Sequence, residues 1–309
     1  MKRKGLFIGL TTVDIQYFVD ENPKPNSKIK TEAPLVSAGG PAANAALTYS
    51  FLGGNAHILT CIGENPFRDF LRNDFARHRV FVDDYLEGQV FQPTIATIFT
   101  NRNTSERTIL THHPDPLEHS GETNIDVGEY DFLLTDGFYP ELSEPLCQQA
   151  KKRGIPVVLD GGSWKPSLAA LLPWTDVAIC SANFHPPGTD SVESVFSFLR
   201  DQGVGFAAIS RGEEAIFSTG GSIPVPQVHA VDSLGAGDIL HGAFCWFFSS
   251  GCAAFESLAK ASKIAALSTC FTGTRQWMKH GEDLTGYLPD DADELFTELG
   301  WKPKKKIVS

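Results

Sequence analysis

Short, unbroken apolar runs recur along the chain: LFIGL (6–10), AHILTCIG (56–63), DFLLTD (131–136), IPVVLDG (155–161), DVAICS (176–181) and FAAIS (206–210). They are continuous rather than alternating, so a strand made of any of them carries apolar side chains on both faces and needs cover on both. Between them, 41–53, 66–78, 141–153 and 191–202 read as helices, and 236–250 and 253–271 add two more in succession. Strands and helices in this alternation predict an α/β fold, a mostly parallel central sheet flanked by helices with right-handed crossovers. Two regions break the rhythm. Residues 11–37 and 90–112 alternate with period 2 around turn-rich segments, as hairpins do. Inserted at one end of the sheet, they would form a small β-sheet lid on a single domain spanning 1–309.

Size and charge narrow the classes further. With 309 residues the chain can bury roughly three quarters of its unfolded surface, so it needs no disulfide or metal staples. The six cysteines form no C-x-x-C pair and the nine histidines show no zinc-like spacing; reduced thiols and a cytoplasmic setting are expected. A formal net charge of -11 repels phosphate backbones, which excludes a nucleic-acid partner. No stretch of 18 apolar residues occurs, which excludes a spanning helix and a membrane partner. GLFIGL after Lys2-Arg3-Lys4 is too short for a leader and reads as the first strand; KPKKK at 302–306 reads as a solvated end. Neither G-x-x-x-x-G-K-[ST] nor G-x-G-x-x-G is present, so two common phosphate-binding loops are ruled out.

Chemistry concentrates in two glycine-rich segments. The first is Asp232-Ser233-Leu234-Gly235-Ala236-Gly237-Asp238, which opens an apolar helix. The small residues 235–237 let backbone approach a ligand, and the first N–H groups of a helix lack partners while its dipole favours an anion. A phosphate in transfer suits such a place, and Asp238 on the first turn can take a proton from an attacking hydroxyl. The second is Gly39-Gly40-Pro41-Ala42-Ala43-Asn44, a turn opening another helix with proline near its first position. Its glycines bring amides to a ligand, and Asn44 can both donate to and accept from hydroxyls. Asp14, after the first strand, lies where open α/β sheets bind ligands and can grip two hydroxyls of a polyol. Ser210-Arg211-Gly212 follows another strand and offers a hydroxyl, a cation and a glycine to nucleotide phosphates.

The two glycine motifs, in this order and about 190 residues apart, resemble the signatures of the ribokinase-like carbohydrate kinases, the PfkB family. GGPAANAA is similar to the family's G-G-x-x-x-N element. DSLGAGD is similar to its D-T-x-G-A-G-D element, with Ser233 in place of threonine. The resemblance implies a Rossmann-like ribokinase fold and transfer of the ATP γ-phosphate to a hydroxyl of a small sugar or related polyol. It implies Asp238 as catalytic base, Gly235, Ala236 and Gly237 as anion hole, and Asp14, Gly39, Gly40 and Asn44 as sugar-binding positions. Ser210 and Gly212 fall at the ATP phosphates and Ser262 near the adenine. Asp232 falls at a monovalent-cation site suited to K+, Mg2+ accompanies the nucleotide, and a homodimer through the lid is implied by analogy. One departure stands out: CSANFHPPG at 180–188 lacks the glutamate of the family's N-x-x-E element, leaving Asn183 to play part of that role. A nucleoside or a sugar phosphate is the alternative acceptor, the latter received by Arg107, Lys28 and Lys30 of the predicted lid. A degenerate, non-catalytic ligand-binding protein is the reading outside enzymology.

Overall fold

The computed structural model describes residues 3–112 and 123–279; the basic end at 302–306 lies outside them, as does one of the two neighbouring histidines at 112–113. In chain order the strands begin with β1 (Lys4–Ile8), β2 (Thr12–Val19), β3 (Leu35–Gly39), β4 (Asn55–Thr60), β5 (Phe81–Asp84), β6 (Thr94–Asn101) and β7 (Arg107–Leu110). They continue with β8 (Phe132–Thr135), β9 (Val157–Asp160), β10 (Val177–Ser181), β11 (Phe206–Arg211), β12 (Glu214–Ser218) and β13 (Gly221–Ile223). The helices are α1 (Pro41–Phe51), α2 (Arg68–Arg77), α3 (Pro140–Lys152), α4 (Val192–Asp201), α5 (Ala236–Ser249), α6 (Ala254–Ser268) and the short α7 (Gln276–Lys279).

Nine strands form the main sheet in the order β13-β12-β11-β10-β9-β8-β1-β4-β5. β4, β5 and β8 to β11 join β1 in parallel ladders, whereas β12 and β13 add an antiparallel edge. Each apolar run divides its side chains between the two faces. Phe7, Leu134, Val158 and Ile179 meet α1, α5 and α6, while Leu6, Ile8, Leu133 and Val157 meet Leu142 and Leu146 of α3. Leu159, Ala178 and Ile209 meet Val195 and Leu199 of α4. This two-sided burial is the reason the runs do not alternate.

A second sheet has four strands in the order β3-β2-β6-β7. The period-2 pattern of β6 is visible in its burial: Thr94, Ala96, Ile98 and Thr100 are buried and the residues between them are not. β2 pairs antiparallel with β3 and β6 with β7, and a parallel β2–β6 ladder joins the two pairs. The sequence reading did not foresee β5, β12 or β13. β5 and β13 are the two edge strands and β12 lies next to β13, and β5 (FVDD) and β12 (EAIFS) lack the unbroken apolar run that marks the covered strands.

The packing of α1 on α5 sets the distance between the two glycine motifs. A β-carbon on Gly242 would lie 2.4 Å from the carbonyl oxygen of Ala45, so the helices touch backbone to backbone at that point. Asn44 stands one residue before this contact and Asp238 one turn before it. Gly242→Ala is therefore expected to force the helices apart and to lower stability by roughly 1–3 kcal/mol in urea unfolding. An unchanged unfolding midpoint would show that the crossing is not tight.

Candidate active site

The main sheet grows outward from β1 in both directions, with β4 and β5 on one side and β8 to β11 on the other. The carboxyl ends on either side of such a reversal leave a crevice between diverging crossovers. Asp136, directly after β8, fills the floor of this crevice. One of its oxygens accepts the N–H groups of Leu10 at 2.9 Å and Ala42 at 3.1 Å, and the other accepts that of Phe138 at 3.1 Å. The carboxylate thus ties the end of β1, the first turn of α1 and the exit of β8 to one point. Burial pushes it up to about 6, against the pull of the Leu10 and Phe138 amides.

The Gly39-Gly40 turn leads into α1. Gly40 has a φ of 99°, and a β-carbon there would stand 2.2 Å from the Leu10 carbonyl oxygen. At Gly39 a β-carbon would stand 2.0 Å from the Asp14 carboxylate. Both positions therefore exclude side chains. Asp14 lies within β2, not in a loop after β1, and it is buried. One of its oxygens accepts the Thr12 hydroxyl at 2.6 Å. The other has no hydrogen-bond partner among the described residues and lies against the Gly39 Cα. Burial raises its pKa, opposed by the Thr12 hydrogen bond and the Arg275 charge.

Across the crevice stands the amino end of α5. Gly235 takes the left-handed conformation at φ 70°, and a β-carbon on it would meet Thr274 at 2.6 Å. Ala236 N–H reaches the Ser233 carbonyl only at 3.3 Å, and the Gly235 and Gly237 N–H groups have no partner among the described residues. A β-carbon at Gly237 would meet nothing within 4 Å and the residue is exposed, so this stretch of backbone can be approached from outside. Asp238, on the first turn, accepts a hydrogen bond from Asn44 Nδ2 at 2.7 Å on Oδ2, across 194 residues of sequence. Its Oδ1 has no partner among the described residues. Asp238 keeps an accessible side, yet the protein packed around the rest of it pushes its pKa up to about 7. Asp160 and Asp14 push in the same direction, while the Asn44 hydrogen bond and His241 pull the other way. His241 holds this helix end to the sheet, with its ring nitrogens 2.7 Å from the Gly237 carbonyl oxygen and 3.0 Å from that of Ile179. Asp160 approaches the same ring at 3.4 Å.

The other expected site residues take less central places. Asp232 is buried, and Leu234 N–H occupies one of its oxygens at 3.0 Å. Gln16 Nε2 at 2.6 Å and Gly273 N–H at 2.7 Å share the other, which links the small sheet to the loop before α5. Ser210, next to last in β11, donates to the Cys180 carbonyl at 3.2 Å; Gly212 follows the strand at φ 65° with open space where a side chain would be. Ser262 is buried in α6, its hydroxyl on the Ala259 carbonyl of its own helix. Asn183 is exposed, its N–H on the Ser181 hydroxyl. Arg107 reaches across to the Ser233 carbonyl at 2.9 Å and to the Ser233 hydroxyl, while Lys28 and Lys30 are exposed.

Four residues of the crevice escaped the sequence reading. Asp136 and Asp160 close two of the apolar runs, and a carboxylate at the ligand edge of a parallel sheet is a usable signal. His241 and Arg275 carry none, because their partners lie in distant segments. Among the described residues no three or more His, Cys, Asp and Glu gather to hold a metal ion. No described helix is long and apolar enough to cross a membrane.

Comparison with known proteins completes the description. A family model described as pfkB family carbohydrate kinase matches residues 2–280. A deoxyribokinase of Salmonella typhi is 23% identical over 306 residues, covering 91% of this chain and 97% of that protein. A ribokinase of Haemophilus influenzae is 22% identical over 293 residues, covering 89% and 94%. The structure of Arabidopsis thaliana ribokinase complexed with ribose and ATP superposes with a TM-score of 0.72 at 21% identity, covering 90% of this chain and 98% of that one.

Proposed function

This chain belongs to the pfkB family of carbohydrate kinases, which makes it a phosphotransferase, and we propose that it moves the γ-phosphoryl group of ATP to a hydroxyl of a small sugar bound beneath the four-stranded sheet. The observation that carries this reading is the 2.7 Å hydrogen bond from Asn44 to Asp238, which joins the two glycine motifs at one point. The sugar lies between Asp14, Gly39, Gly40 and Asn44 on one side and Asp238 on the other. The free oxygen of Asp14 accepts from sugar hydroxyls, and the side-chain-free turn at 39–40 lets the ring come close to the backbone.

Asp238 Oδ1 takes the proton of the attacking hydroxyl as the new O–P bond forms and the bond to the leaving ADP oxygen breaks. The Gly235 and Gly237 amides, with the dipole of α5 behind them, hold the charge on the group in transfer. Ser210 and Gly212 face the nucleotide phosphates at the same edge of the sheet. Magnesium, bound with the nucleotide, supplies charge neutralisation between its phosphates. The names of the relatives suggest ribose or deoxyribose as the first acceptors to try. The engagement of Arg107 by Ser233 favours an uncharged acceptor over a sugar phosphate. A panel of pentoses, hexoses, nucleosides and sugar phosphates with ATP and magnesium tests this reading. Phosphorylation of a free sugar is expected. Turnover confined to nucleosides would move the acceptor class, and ligand binding without any phosphoryl transfer would make the chain a non-catalytic member.

A further inference from the structure

Arg275 lies in the turn between α6 and α7, 231 residues from Asn44 in sequence, and its guanidinium is buried against the Asn44 side chain. Its Nη1 donates to Asn44 Oδ1 at 2.9 Å and to the Thr274 hydroxyl at 2.7 Å. Its Nη2 donates to the Ala38 carbonyl at 2.7 Å and lies 3.7 Å from Asp74. Asp74 in turn accepts the Ala38 N–H at 3.0 Å, so the residue before the Gly39-Gly40 turn is held at both its N–H and its C=O. The Arg275 Nε is buried without a partner among the described residues, where the Nη groups alone orient the fork.

Resting on the reading of Asp238 as base, we propose that Arg275 is a positioning residue: it fixes the Asn44 amide with its nitrogen toward Asp238, which leaves Oδ1 of Asp238 turned to the acceptor hydroxyl. A guanidinium only donates, so the Asn44 atom facing it must be the oxygen. The atom facing Asp238 is then the NH2, which binds a carboxylate and opposes its protonation. Without Arg275 the amide is free to turn over, and its oxygen then faces Asp238 and favours the protonated, inactive acid. Arg275 also supplies positive charge to a cluster of carboxylates. The groups that act on Asp238 are Asp14 from β2, Asp160 from β9, His241 from its own helix, Asn44 from α1 and Arg275 from the α6–α7 turn.

The test is a double-mutant cycle on the full chain with Arg275→Met and Asn44→Ala, with Asp238→Asn as reference. Arg275→Met alone is expected to lower kcat about 10-fold or more, and in the Asn44→Ala background to lower it about 3-fold at most, as coupled residues do. The acid limb of kcat/KM is expected to move to higher pH in Arg275→Met, with Arg275→Lys restoring most of the rate. A structural role alone would leave that limb in place and give losses that multiply; with Asp238→Asn inactive, this result overturns the positioning role and spares the base. Near-wild-type turnover in Asp238→Asn would overturn the base, and the positioning role with it. If Arg275→Met does not fold by circular dichroism, the same cycle with Arg275→Gln decides: losses that multiply overturn the role and losses that do not multiply uphold it.

Discussion

Asp238→Asn is expected to lose at least ~100-fold in turnover while binding sugar and nucleotide almost as tightly as the wild type. The carboxamide has the same shape and can still accept the Asn44 hydrogen bond, so the crevice keeps its geometry. What it cannot do is take a proton from the attacking hydroxyl. The pH dependence follows from the same group. Burial and Asp160 push the Asp238 pKa up to about 7, so the base is protonated and idle below that pH, and kcat/KM is expected to rise through it. The folded carboxyl holds its proton through the window from the ordinary value of 3.8 to about 7, where the unfolded one has lost it. Wild-type stability therefore falls as pH rises across that window and levels off above it. Removing the charge with asparagine should stabilise the protein at pH 8 by roughly 1–3 kcal/mol, since the open side of the carboxylate screens part of the shift, and should change little at pH 4. Thermal melts at both pH values, beside steady-state rates, check the two halves. A variant that keeps its rate, or that is less stable at pH 8, would remove Asp238 from the role of buried base.

The parts of this molecule that could be read in advance are those whose physics is local. A continuous apolar run betrays a strand covered on both faces, which is why β1, β4 and β8 to β11 fell within a few residues of the expected segments. Glycines at 40 and 235 answer to the positive φ of their own turns, 99° and 70°, although the groups that crowd them, Leu10 and Thr274, come from distant segments. Arg275 is the opposite case. Nothing in TGTRQW marks a site residue, because its meaning comes from Asn44 of α1, Ala38 of β3 and Asp74 of α2, all distant in sequence. Arg107 shows the same limit from the other side. A cation on a predicted lid strand invited an anionic ligand, whereas its partner is the Ser233 of the loop before α5. Asp14 lay between these extremes: its place at the ligand edge was legible, and its membership of β2 was not.

Asp136→Ala is expected to be the most destabilising single change in the crevice. The wild-type carboxylate accepts three backbone N–H groups that have no alternative acceptor in the alanine variant. Leaving buried donors unpaired costs about 1–3 kcal/mol each, before any cavity term. One effect opposes this. The shift of Asp136 from 3.8 to about 6 means that its ionised form is disfavoured in the fold, which at pH 7 is worth at most ~3 kcal/mol. Three unpaired amides outweigh it, so a net loss of roughly 2–5 kcal/mol is expected at pH 7. The sign of the carboxyl contribution makes the gap depend on pH. As pH falls from about 6 toward 3.8 the folded acid gains its proton before the unfolded one does, and wild-type stability rises while that of the alanine variant does not. The difference in urea midpoint should therefore be larger at pH 5 than at pH 7. Because the Ala42 amide begins α1, the same variant should also release Asn44 and weaken sugar binding. Asp136→Asn, which still offers an oxygen to Leu10 and Ala42 and turns its NH2 toward Phe138, should fall between the two. If the alanine variant instead unfolds at the wild-type urea concentration, the three amides have found other partners and Asp136 does not hold the crevice together.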